Sequence, residues 1–140
     1  MGEQASSQAV DLLRRFYESF NQRDIDAVLE VCADEVEVYK AHEVIDMVAA
    51  ATPRGQERVA QYLRGWLDSW TDYSARPQEF VQSGDDVAVL VRLRARGRGS
   101  RFDIEEEMAD LFTIREGRIK VLRLYIRPEE ALGAVDAGPR

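Results

Sequence analysis

The 140 residues predict one α+β domain, with helices first and an antiparallel sheet after them. Three observations carry this. Apolar residues recur at helical spacing in the first half of the chain. Four stretches of strand character fill most of the second half, separated by glycine turns. About 45% of the residues are hydrophobic, enough for one sizeable core.

Each element follows from its own stretch. "SQAVDLLRRFYESFN" sets Val10, Leu13, Phe16, Tyr17 and Phe20 on one helix face, with Ser6 or Ser7 as cap. Asp24 caps a short second helix carrying Ile25, Val28, Leu29 and Cys32. "EVEVYK" alternates Val36, Val38 and Lys40 against Glu35, Glu37 and Tyr39, the pattern of a strand. Residues 41–53 read as a long connection broken at Thr52-Pro53-Arg54-Gly55. "QERVAQYLRGWLDSW" is a helix with Val59, Tyr62, Leu63, Trp66, Leu67 and Trp70 on one side. "ARPQEFVQSG", "DVAVLVRLRARG", "RFDIEEEMADLFTI" and "RIKVLRLYI" form a four-strand meander, its last turn made by Arg115-Glu116-Gly117. A final helical turn starts at Pro128. The domain is read as residues 1–140, with its core at about 7–132 and a loose tail at 133–140.

Composition excludes several functions. A net charge of −7 gives no general attraction to phosphate backbones or anionic membranes, so neither nucleic acid nor a membrane is expected as partner. No stretch approaches the length of a membrane span, and "MGEQASSQAV" lacks the features of a secretion signal. The chain therefore reads as a soluble cytoplasmic protein. Cys32 is the single cysteine, so no internal disulfide forms, and its place on an apolar face suits a small structural hydrophobe. One His and one Cys make no zinc site, and "GRG" is a turn rather than a phosphate cradle; no metal or cofactor is expected.

The third meander strand, "DIEEEMADLF", carries acids on both faces. Centring the preceding turn between Arg98 and Gly99 sets Arg94 opposite Asp103 and Arg92 opposite Glu105, so the odd-numbered acids join a charge ladder on the outer face. The even-numbered face, Phe102 to Ile114, is apolar and turns toward the helices, except at Glu106 and Asp110. These two lie about 13 Å apart along a strand, too far to share a proton. A lone buried carboxylate needs a donor, a cation or water, or must stay protonated. Asp110 is mid-strand, so it lines a cavity or is neutralised. Lys40 shares the inward parity of Val36 and Val38 and is expected in the same cavity, with Tyr17, Tyr39 and His42 nearby. Asp110 and Lys40 are the candidate catalytic pair.

"LLRRFYESFNQRDIDAVLEVCADEVEVY", "RGQERVAQYLRGWLDSW" and "ADLFTIREGRIKVLRLYI" together resemble the SnoaL-like branch of the nuclear transport factor 2-like (ketosteroid isomerase-like) superfamily, over about Val10 to Leu132. The resemblance implies a cone-shaped α+β barrel: a curved, mostly antiparallel sheet against three N-terminal helices, enclosing a cavity. It also implies a homodimer through the outer sheet face, here with Arg92, Arg94, Leu111, Arg123 and Tyr125. Steroid isomerases, polyketide cyclases and an epoxide hydrolase belong to the superfamily. The isomerases' first-helix tyrosine, first-strand aspartate and central-strand aspartic acid fall on Phe16, Lys40 and Asp110. The cyclases' last-strand aspartate and central-strand histidine fall on Leu124 and Asp110, and the hydrolase arginine on Met108. None of the three catalytic sets is complete. The expected function is binding of a small hydrophobic or cyclic molecule, with cofactor-independent acid/base chemistry of isomerase, cyclase or hydratase type. The alternative is a non-catalytic ligand-binding or dimerisation domain. The expected lining is Phe16, Tyr17, Val38, Trp66, Met108, Phe112 and Leu124, with Glu106 at the hairpin end.

Overall fold

Ser6 starts the first helix, α1 (Ser7–Asn21), its hydroxyl accepting from the Ala9 N–H and satisfying one of the unpaired donors there. Asp24 does the same for α2 (Ile25–Glu30) through Ala27. The structure is a computed structural model that describes residues 3–40, 53–125 and 127–136, and the side chains of all of them except residues 3, 4, 40, 125 and 136. The expected connection at 41–53, including His42, lies outside it up to residue 52.

The remaining elements are β1 (Glu3–Gln4), β2 (Cys32–Lys40), α3 (Gln56–Asp68), β3 (Trp70–Ser83), β4 (Asp86–Gly97), β5 (Ile104–Arg115), β6 (Arg118–Tyr125) and α4 (Pro128–Asp136). They build one curved sheet in the order β1-β3-β4-β5-β6-β2, antiparallel except where β2 runs parallel to β6. The sheet does not close among the described residues. Leu13, Phe16, Tyr17, Val28, Val59 and Leu63 from α1–α3 bury against Val36, Val87, Val89, Phe112 and Ile119 of its concave face. Each such side chain contributes about 1.5–3 kcal/mol by leaving water. The expected α+β architecture is the observed one.

Several details differ from expectation. The helix over 56–70 stops at Asp68; Ser69 caps it and Trp70 opens β3, which is longer than expected. Pro77 fits within β3 because the register shifts beside it and because β1 pairs only with Val81 and Gln82, leaving an open edge at Pro77. The short β1 was not foreseen.

The β4–β5 hairpin pairs Arg94 with Glu105 and Arg92 with Glu107, two residues from the expected register. Its loop is wide: the Ser100 N–H bonds back to Gly97, and the Ser100 hydroxyl accepts from Phe102. A slip of two keeps every side chain on its face. The outer ladder forms: Arg94 holds Asp103 at 3.1 Å, the expected ion pair, with Arg96 joining it at 2.8 Å, while Arg92 meets Glu107 at 3.4 Å in place of Glu105. These pairs are exposed and contribute little.

The chain beyond Pro128 is not a single turn followed by a tail from 133. It is helical to Asp136 and packs on the convex face, where Ala131 and Val135 cover Ala88, Ala109 and Leu111. Leu111 is therefore buried within the chain and is not available to the expected dimer contact. Arg92 and Arg94 remain exposed, and Arg123 is half-buried, donating to the Thr113 hydroxyl at 3.2 Å.

Cys32 is buried, its thiol pushed up to about 12 by desolvation and bonded to the Val28 carbonyl at 3.3 Å. It is an inert packing group, as expected.

Candidate functional site

Strand pairing sets residues in rows across the concave face. One row runs Val87, Phe112, Leu122, Val38; the next runs Val89, Asp110, Leu124, Lys40; a third pairs Val91 with Met108. The Phe112 row is closed by α1, with the Phe16 and Tyr17 rings edge-on to Phe112 at 5.2 and 5.9 Å. Outward of the Phe112 row the packing leaves space. A cavity of about 240 Å³ opens there, with aromatic side chains of α1, α3 and β3 on one side and Val91, Leu93, Met108, Asp110, Leu122 and Leu124 on the other.

Of the expected lining, Phe16, Tyr17, Trp66, Met108, Asp110 and Leu124 do line this cavity. Val38 and Phe112 do not: they lie one row deeper, fully buried in the core. Glu106 does not either. β6 ends at Tyr125, opposite Ala109, so the start of β5 projects past its neighbour and Glu106 stands in solvent. Tyr39 faces away from the cavity and donates to Glu37, which also pairs with Arg54 at 3.2 Å. The side chain of Lys40 lies outside the described residues, as does His42. Phe20, Tyr62 and Tyr73 also line the cavity and were not expected there. Tyr62 was legible one helical turn before Trp66, and Tyr73 in the alternation Tyr73, Ala75, Pro77 along β3.

Asp110 is the only charged or polar residue in the buried core among the described residues. Its Oδ2 accepts a 2.7 Å hydrogen bond from the Tyr17 hydroxyl. Desolvation raises the Asp110 carboxyl to about 7, against the opposing effect of that hydrogen bond. Burial, then the negative charge of Asp110, push Tyr17 well above the usual phenol range. Tyr73 is raised for the same reasons, opposed by a hydrogen bond with Trp66. The site thus holds a carboxyl that takes or gives a proton near neutrality, oriented by a phenol that stays protonated. No group of residues able to hold a metal ion occurs among the described residues.

A family model described as the SnoaL-like domain matches residues 13–122. The chain belongs to the SnoaL-like domain family. No curated protein matches it. Solved structures share the fold of this SnoaL-like chain. An NTF2-like protein of unknown function from Burkholderia pseudomallei is 21% identical, over 93% of this chain and 98% of that one, with a TM-score of 0.74. TerC, co-crystallised with polyporic acid, is 18% identical over 94% of this chain and 100% of its own, with a TM-score of 0.71. A protein with a ketosteroid isomerase-like fold from Catenulispora acidiphila, in complex with trimethylamine, is 16% identical over 92% and 94%, with a TM-score of 0.72. At these identities the likeness shows the fold. The tyrosine that meets Asp110 is Tyr17, one position after Phe16, the expected match to the steroid isomerases' first-helix tyrosine, whose ring stacks on Phe20 instead. No described helix is long and apolar enough to cross a membrane.

Proposed function

We propose that the cavity binds a compact hydrophobic or cyclic molecule and that Asp110 exchanges a proton with it, without a cofactor, in chemistry of isomerase, cyclase or hydratase type. One observation carries this reading: a buried carboxyl poised near neutrality, held by Tyr17 at 2.7 Å, forms part of the wall of an apolar cavity. A volume of about 240 Å³ favours a ligand of one or two rings. TerC with polyporic acid and the Catenulispora protein with trimethylamine support small-molecule binding in this fold. Lys40 is the proposed second group; its backbone pairs with Leu124, which pairs with Asp110. The exposed outer rows with Arg92 and Arg94 are the proposed homodimer contact, and sedimentation as a monomer at micromolar concentration contradicts it.

The test is a thermal-shift screen of small ring compounds, followed by binding and turnover of each hit by wild type, Asp110→Asn and Lys40→Met. Loss of turnover in Asp110→Asn with binding retained supports proton transfer. Unchanged turnover removes Asp110 from the mechanism. Binding without turnover in wild type leaves a ligand-binding domain.

A further inference from the structure

The last turn of α1 is tied to β3 and to the end of α3, the elements with which it shares the cavity wall. Asn21 closes the helix, and its side-chain amide makes two hydrogen bonds to one residue of β3. Nδ2 donates to the Ala75 carbonyl at 2.9 Å, and Oδ1 accepts from the Ala75 N–H at 2.9 Å. An amide that serves both backbone groups of one residue does what the next strand of an antiparallel ladder would do. Ala75 is buried, lines the cavity and pairs with Leu93, another cavity residue. Two residues on, Arg23 takes the left-handed position of the helix stop, at a φ of 61°. There the Asp24 N–H bonds to the Ser19 carbonyl and the Arg23 N–H to that of Phe20. The Arg23 guanidinium donates to the Leu67 carbonyl at 2.9 Å and the Trp70 carbonyl at 3.1 Å, where α3 gives way to β3.

Tyr17 stands four residues before Asn21, one helical turn away on the same face. Its hydroxyl meets Asp110 Oδ2 at 2.7 Å, and such a bond survives only a narrow range of distance and angle. The height and rotation of this turn above the sheet therefore decide whether the contact forms. The bond from the Ser6 N–H to Gln82 at 3.0 Å anchors the other end of α1, about three turns from Tyr17. Asn21 is the nearer anchor. We propose that Asn21 is a positioning residue of the site: its paired hydrogen bonds to Ala75 hold the last turn of α1 so that the Tyr17 hydroxyl stays on Asp110. This rests on the reading of Asp110 as the proton-exchanging acid and adds the residue that keeps its donor in place.

Carbon NMR titration of the aspartates in the full chain, from pH 4 to 9, reads this role, because a loss of stability alone does not move the midpoint of a carboxyl in the folded protein. The groups placed to act on Asp110 are Tyr17 of α1, Tyr73 of β3 and Lys40 of β2, which stands in the same row. The upward shifts of Tyr17 and Tyr73 keep both protonated across the range. Asn21→Ala removes both bonds to Ala75 and raises the Asp110 midpoint above its value of about 7, because the ionised form loses a well-placed donor. The expected rise is about half a pH unit or more, a threefold loss in the ionisation constant at about that value. In Tyr17→Phe, where the donor is already gone, Asn21→Ala adds no further rise. Gly117→Ala, at the turn after β5, lowers stability and leaves the midpoint in place. Asn21→Leu, close to Asn in size and a better helix former, carries the same expectation if the alanine variant does not fold. A wild-type midpoint near 7 that neither Asn21 variant moves, or that moves equally in Tyr17→Phe, overturns the proposal and leaves Asp110 as the acid. Failure of both Asn21 variants to fold makes the residue structural and overturns it too. A wild-type midpoint near 4 removes the buried acid, and the proposal fails together with the functional reading.

Discussion

Tyr17 and Asp110 lie 93 positions apart in the chain and 2.7 Å apart in the fold. This contact joins α1 to the middle of β5 and fixes the electrostatics of the cavity. Burial raises the carboxyl and the phenol's hydrogen bond restrains that rise, leaving it at about 7. Asp110 is therefore expected to leave a signature in the pH dependence of stability.

The sign follows from the direction of the shift. An unfolded aspartate titrates near 3.8 and the folded one near 7. Between these values the unfolded chain releases a proton that the folded chain retains, so Asp110 lowers stability as pH rises from about 4 to 7 and has a constant effect above. From pH 5 to pH 8 the loss is about 2 to 3 kcal/mol. Urea denaturation of wild type and Asp110→Asn at both values isolates it: the gap between the two proteins shifts in favour of the variant by that amount at pH 8. An unchanged gap places the carboxyl in water.

Tyr17→Phe removes the donor but keeps the ring. The ionised form of Asp110 loses its hydrogen bond, so the variant's cost is greater at pH 8 than at pH 5, by about 1 to 2 kcal/mol. The titration midpoint of Asp110 moves up. Equal costs at both pH values show that the hydroxyl does not serve the carboxylate.

Much of this site was legible in the sequence, and the failures have physical causes. Side chains alternate with a period of two along a strand, so the hairpin slip of two residues left Asp110 on the concave face. Glu106 obeys the same parity yet is solvated, because exposure there depends on where β6 ends, which alternation within β5 does not encode. Phe16 and Tyr17 both face the core, and only the depth of the Asp110 row decides which one reaches it. Alternation gives Val38 and Phe112 their face but not their row, which lies one step deeper than the cavity. The start of α4 at Pro128 is legible, but its run to Asp136 and its docking are not, because Ala131 and Val135 are a weak apolar signal and their partners Ala88, Ala109 and Leu111 are distant in sequence.

The docking of α4 is testable. Leu111→Ala empties a buried site beneath it and costs about 2 kcal/mol or more. A chain ending at Arg127 exposes Ala88, Ala109 and Leu111 together, and sedimentation should show it self-associating more than the full chain. A truncated chain that sediments as the full one does shows that this helix covers nothing essential.

Two glycines give opposite expectations. Gly65 lies inside α3 with nothing within 4 Å of an added Cβ, so Gly65→Ala stabilises by about 0.5 to 1 kcal/mol. Gly117 also has open space, but its φ of 75° beside Glu116 at 54° makes the two-residue turn between β5 and β6. Gly117→Ala destabilises by about 1 kcal/mol through backbone strain alone. Thermal melts of the two variants should move in opposite directions.

The most direct measurement is the titration of the Asp110 carboxyl itself, followed by carbon NMR in aspartate-labelled protein and assigned with Asp110→Asn. A midpoint near 7, moving upward in Tyr17→Phe, is the predicted result. A midpoint near 4 that Tyr17→Phe leaves in place would contradict the buried, phenol-held acid on which the functional reading depends.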